Sequence, residues 1–153
     1  MTIPELKTRI ISLMGEKYIH ESNGRYFLQF DARDDLSIMV LPNFSLRELL
    51  TKNTVDTFTK LELGVLALIQ TIREEFGLSV EISSSYRSKA YNNSVDGATS
   101  SRHKIGDALD SHPTDPKRLP QYKALIIKKN IPGGMGLYPT FVHIDTRPTR
   151  ARW

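Results

Sequence analysis

Cysteine is missing altogether from the 153 residues. Disulfides and thiolate metal sites are therefore excluded, and any metal must be held by nitrogen and oxygen ligands. Nor is there an apolar run near the roughly 20 residues that carry a helix across a bilayer, so membrane insertion is not expected. The first 18 residues interleave apolar and charged side chains and lack the continuous apolar stretch of a secretory signal. The expectation is a soluble, cytoplasmic protein unless another route carries it out. No internal repeat and no low-complexity tail is present. The glycines at 133, 134 and 136 are not followed by Lys-Ser or Lys-Thr, which excludes a phosphate loop. Charge is only mildly one-sided, with 21 Lys and Arg against 17 Asp and Glu. Such a surplus suits solubility, or attraction to an anionic polymer. Lys117, Arg118, Lys123, Lys128 and Lys129 make a basic stretch, but no aromatic stacking motif or reader fold accompanies them. Nucleic acid is not an expected partner.

What is present is the composition of one folded domain, 39% hydrophobic and 25% charged. Thr2, Pro4 and Glu5 open a helix whose buried face falls on Ile10, Ile11 and Met14. Asn23-Gly24 reads as a turn, with extended pieces at 26–28 and 36–41 on either side of a charged loop at 31–35. Ser45 and Glu48 form a capping box, with Phe44 stapling onto Leu49 and an apolar face of Leu46, Leu49 and Leu50. Leu61, Val65, Leu68, Ile69, Ile72 and Phe76 recur at helical steps until Gly77 ends the pattern. A strand is expected over 78–84, a turn at Asp96-Gly97, and a loop over 113–116. A helix over 119–130 follows, with Tyr122, Leu125 and Ile126 apolar and Lys128 and Lys129 at its negative end. The glycine-rich 132–136 reads as a flexible loop, and 141–146 as the final strand. Together these predict an α+β domain, with helices on one face of a small, mostly antiparallel sheet and a metal cleft on the other. Residues 1–42 form a helix and hairpin extension packed on it, and 43–153 the domain proper.

His103, Asp110 and His143 are the residues that carry chemistry. Two imidazoles and a carboxylate from separate segments are enough to hold zinc with one coordination position open. Strand alternation puts His143 and Asp145 on one face. His103 and Asp110 are seven apart, an odd spacing, so His103 is expected in a loop bent at Gly106 and Asp110 in a strand beside His143. His20 reads as an ordinary surface histidine. His112, two residues past Asp110, is an alternative ligand or the end of a strand. Spacing alone leaves the zinc site and a set of ordinary turn and salt-bridge residues both open.

Four separated motifs add to this reading. They are Ser84-Ser85-Tyr86-Arg87, the run from Ser101-Arg102-His103 to Asp110, Gly133-Gly134-Met135-Gly136-Leu137-Tyr138-Pro139, and Phe141-Val142-His143-Ile144-Asp145. In order and spacing they resemble the zinc D-Ala-D-Ala carboxypeptidase branch of the M15 peptidases, over 43–153. The resemblance implies the zinc fold shared with the hedgehog signalling domain, and one Zn2+ per chain on His103, Asp110 and His143. It implies hydrolysis of peptide bonds involving D-amino acids in peptidoglycan stem peptides; the sequence leaves the oligomeric state open, with a monomer favoured. It also implies a phage or bacterial setting, in which a holin or virion delivers a protein lacking its own signal. Arg87 would grip a substrate carboxylate or steady the oxyanion. Ser101 and Tyr138 would line the substrate site.

One position departs from the pattern. Active relatives place Asp or Glu three residues before the last zinc histidine, as general base; here Thr140 stands there. Asp145 either takes over as base or holds His143 from behind and pairs with Arg147. The chain is accordingly either a zinc peptidase or a zinc-binding module of the same fold that has lost catalysis.

Overall fold

The structure, a computed structural model, describes residues 1–51, 58–95 and 97–153. Asp96 of the expected Asp96-Gly97 turn lies outside them. Helix α1, Ile3–Met14, opens with a full capping box: Thr2 accepts from the Glu5 amide and the Glu5 carboxylate accepts from the Thr2 amide. Its buried face is Leu6 and Ile10, with Ile11 and Met14 only partly covered. Strands β1, Ile19–Ser22, and β2, Arg25–Asp31, form a hairpin. Asn23 and Gly24 both take positive φ, 52° and 75°, which is the two-residue turn that matches strand twist.

The extended piece expected over 36–41 is not a strand. Leu36, Val40 and Leu41 reach the core from an irregular stretch. Its backbone is satisfied partly by Arg9, which donates to the carbonyls of Val40 (2.9 Å) and Met39 (2.8 Å). A side chain from α1 does here what a neighbouring strand would otherwise do. Helix α2, Leu46–Leu49, carries the capping box of Ser45 and Glu48.

Leu61 is not helical either. It lies in β3, Phe58–Glu62, opposite Leu28 of β2. The helix α3, Leu63–Phe76, begins only after Glu62, whose carboxylate caps it by accepting from the Val65 amide at 3.0 Å. Strand and helix feed the same core, so the apolar spacing runs across the boundary without a break. Gly77 ends α3 in the left-handed conformation, as its position predicts.

Strands β1, β2 and β3 make one antiparallel sheet, and a second sheet has the order β4-β5-β7-β6-β8. The α+β class expected from the sequence holds, with two sheets among the described residues where one was expected. The second comprises β4 (Val80–Ser84), β5 (Ala108–Pro113), β6 (Gly134–Leu137), β7 (Val142–Asp145) and β8 (Ala151–Arg152). All its pairings are antiparallel except β6 with β8. So 134–137 is a strand rather than a flexible loop, and 142–145 is not the last one. The glycines of β6 are demanded by neighbours: a side chain at Gly134 would collide with the Asp145 carboxylate, and one at Gly136 with the Trp153 and Tyr138 rings.

Register separates the two faces of this sheet. Leu109, Ile144 and Met135 stand in one row, on the face covered by helix α5, Leu119–Lys129. There Ser111 shares a 2.7 Å hydrogen bond with buried Tyr122. Ser84, Asp110, His143 and Gly136 stand in the opposite row. One hydrophobic cluster takes in Leu6, Leu28 and Phe30 of the opening region together with Leu109, Val142 and Ile144.

Candidate metal centre

Asp110 and His143 are cross-strand partners, so their side chains leave the sheet together. His103 arrives from a tight turn, Arg102–Lys104, just before β5. Gly106, at φ 90°, lets that turn press against the Lys60 carbonyl. The Arg87 amide donates to the His103 carbonyl at 2.9 Å and fixes the turn from the β4 side. The three ligand atoms lie within 4.8 Å of one another, and all three residues are buried.

The polarity of the hydrogen bonds tests whether a metal fits. His103 Nδ1 is 2.7 Å from the Ser85 carbonyl, and His143 Nε2 is 2.8 Å from the Asp145 carboxylate. Both partners only accept, so those nitrogens carry the protons. The inner nitrogens, His103 Nε2 and His143 Nδ1, lie 3.2 and 2.9 Å from the same oxygen, Asp110 Oδ1. In neutral rings both present lone pairs to a carboxylate. Three lone-pair donors converge on one point, which requires either protonated rings or a cation. The donor set, two nitrogens and an oxygen, suits zinc.

Electrostatics follow from this crowding. Burial raises the Asp110 carboxyl, but the hydrogen bonds of His103 and His143 outweigh it and bring its pKa to about 2. Burial lowers His143, but Asp110 and Asp145 outweigh that and leave it above its ordinary value. Asp145 is 1% exposed. Burial raises it too, yet His143, Arg147 and the Gly134 amide together hold it well below the usual carboxylate range. Arg147 grips it with Nε at 2.8 Å and Nη2 at 2.6 Å, and Gly134 donates at 2.9 Å.

The cluster opens into a cavity of about 450 Å³ walled by Arg87, Ser101, Arg102, Tyr138, Arg147 and Trp153, among others. Arg87 is held by Ser84 (3.1 Å) and Asn92 (3.4 Å), with its Nη2 3.6 Å from Asp110. Ser101 accepts from the His103 amide at 3.3 Å and so also orients the turn. Tyr138 stacks on Phe141, ring centres 4.5 Å apart, and its hydroxyl accepts from Trp153 Nε1 at 2.6 Å.

A family model described as Peptidase M15 matches residues 40–145, about two thirds of the chain. The chain belongs to the peptidase M15 family. Comparison with curated proteins and with solved structures gives no match.

Within this M15 domain the positions singled out from the sequence separate clearly. His103, Asp110, His143, Arg87, Ser101 and Tyr138 share one cavity wall. Asp145 is outside that wall, behind His143. Both of the contacts open to it as a supporting carboxylate, to His143 and to Arg147, are present. His112 is turned to the Pro113 carbonyl and, with exposed Thr140, lines an adjoining groove that shares Arg87, Asp110 and Phe141 with the cavity but not His103 or His143. His20 is exposed on β1. Of the other wall residues, Arg102 and Trp153 have no role assigned from the sequence, and Arg147 is read there only as a partner of Asp145. The two-residue offset of Arg147 from Asp145 is what allows that ion pair to be read.

Proposed function

We propose that the chain is a zinc peptidase that hydrolyses D-amino-acid-containing bonds of peptidoglycan stem peptides or cross-links, in cell-wall lysis or remodelling. The observation that carries this reading is the convergence of His103, Asp110 and His143 lone pairs at the floor of an arginine-lined cavity. Zinc, when bound, supplies Lewis acidity for polarising a carbonyl and lowering the pKa of a water molecule. The chain's own residues do the rest. Arg87, held by Ser84 and Asn92, offers its guanidinium to a substrate carboxylate or a developing oxyanion. Tyr138 and Ser101 border the bound peptide. Asp145 fixes the tautomer and direction of the His143 ring and does not touch substrate. Residues 1–42 are an extension built onto the 43–153 domain.

A second reading, a zinc-binding module without turnover, has its own observation. Among the described residues the cavity wall holds no carboxylate besides Asp110, and Thr140 occupies the position expected of a base. Mass spectrometry of peptidoglycan stem peptides incubated with zinc-loaded protein, beside His143→Ala, separates the two. Products made only by the intact site establish the peptidase, and their masses name the bond. No products from a protein that binds zinc stoichiometrically would overturn it in favour of the module.

A further inference from the structure

Arg25 lies in β2, before the segment that the family model matches, yet its guanidinium ends among residues that carry the metal centre. Its Nη2 donates to Asp107 Oδ2 at 3.0 Å, to Thr146 Oγ1 at 3.0 Å and to the Thr146 carbonyl at 3.4 Å. Asp107 is fully buried and is shared with Arg102, whose Nε donates to its other oxygen at 3.0 Å. Arg102 is the neighbour of His103 and part of the cavity wall. Thr146 follows Asp145, the residue that holds His143. The two segments are also joined directly, the Thr146 amide donating to the Asp107 carbonyl at 3.0 Å. Thr146 Oγ1 in turn donates to Glu62 at 2.8 Å, the carboxylate that caps α3.

One guanidinium therefore ties together the segment bearing His103 and the segment bearing His143. Asp107 and Glu62 are buried anions, and a buried anion is tolerated only with its partners in place. Among the described residues, removing Arg25 leaves the Asp107 carboxylate with Arg102 alone. The His103 turn is then free to follow Arg102 as it readjusts, and the Thr146 carbonyl loses a donor. We infer that the N-terminal hairpin is a positioning element of the metal centre and acts through Arg25. This rests on the reading of His103, Asp110 and His143 as metal ligands.

The test is zinc affinity of the full chain, by competition with a chelating dye, for wild type, Arg25→Ala, Arg25→Lys and Thr2→Ala. Circular dichroism checks that each is folded. Partners that orient metal ligands typically contribute 10- to 100-fold in affinity, and Arg25 acts one contact further out. Arg25→Ala is expected to bind zinc about three- to tenfold more weakly, with Arg25→Lys between it and wild type. Thr2→Ala, which weakens a helix cap remote from the site, is expected to bind as wild type does. A folded Arg25→Ala with wild-type affinity overturns the inference. So does an equal loss in Thr2→Ala, which would make the effect one of general stability. If Arg25→Ala does not fold, Arg25→Gln keeps most of the side chain without its charge or its fork, and wild-type affinity there overturns it equally. Wild-type protein that takes up no zinc removes the metal reading itself, and the inference with it; the variants then need not be compared.

Discussion

The two sheets of this protein are stabilised by opposite means. In the three-stranded sheet β2 sends Leu28 and Phe30 inward against Leu6 and Leu61, while β1 lies largely in solvent. That is a half-buried antiparallel sheet whose stability comes from apolar area. In the five-stranded sheet β7 is buried on both faces, with Val142 and Ile144 against the core and His143 and Asp145 on the other side. Polar burial of that kind stabilises only when every donor and acceptor is met. Apart from Arg25 and Glu62, which join the polar network beside the second sheet, the first sheet depends on apolar contacts, whereas the second has a face whose stability depends on charge, protonation and occupancy.

The comparison can be broken most forcefully at Phe30, which is 2% exposed. Phe30→Ala is expected to cost about 3–5 kcal/mol of stability, measured by denaturant unfolding. If the hairpin shares its core with the site, a single transition follows. Separate transitions would show that the two sheets unfold independently.

On the polar side, Asp145→Asn is expected to weaken zinc binding roughly 10- to 100-fold, read by chelator competition. Turnover lost with zinc affinity intact would instead make Asp145 the proton acceptor.

Acidity then separates the sheets without mutation. Asp110, at about 2, lies below its ordinary value, so its contribution is present above about pH 4 and is lost as pH falls toward 2. The contribution is on the order of 2 kcal/mol. His143 lies above its ordinary value, so its contribution is complete below about pH 6.5 and is lost as pH rises through its folded pKa. Metal-free protein is expected to be most stable between about pH 4 and 6.5 and to weaken as pH rises through the folded pKa of His143. Zinc should reverse the weakening, because it binds the deprotonated imidazoles. Denaturant titrations near pH 5 and pH 8, with chelator and with zinc, check the sign.

The smallest effect belongs to the apolar half. Thr2→Ala removes one cap and is expected to cost about 1 kcal/mol, as a shift in the unfolding midpoint.

What could be read in advance was what is local. The caps at Thr2 and Ser45, the Asn23-Gly24 turn and the Gly77 stop depend on neighbours within a few residues, and each stands where the residues indicate. The pairing of Asp110 beside His143, expected because it lets the three ligands converge, is the register found. The failures are tertiary. Glycine at 134 and 136 reads as loop unless one knows that Asp145 and Trp153 occupy the space a side chain would need. Leu61 fits a helical period because β3 and α3 point into one core. The stretch at 36–41 has strand composition, but Arg9 and the amides of Leu46 and Arg47 take up its carbonyls. Arg102 reaches the cavity because buried Asp107 holds it, a contact within five residues that no periodicity signals.

Trp153 is the sole tryptophan in the chain, and its ring lies 5.1 Å from that of His143 and 5.1 Å from the Arg147 guanidinium. It is 47% exposed on the cavity wall. All tryptophan emission therefore originates at the mouth of the candidate centre, with no background from elsewhere in the fold. A metal or peptide that enters displaces water from that indole and alters the charge beside it. The unlabelled protein thus carries its own fluorescent titration probe, and occupancy can be followed before any turnover is detected.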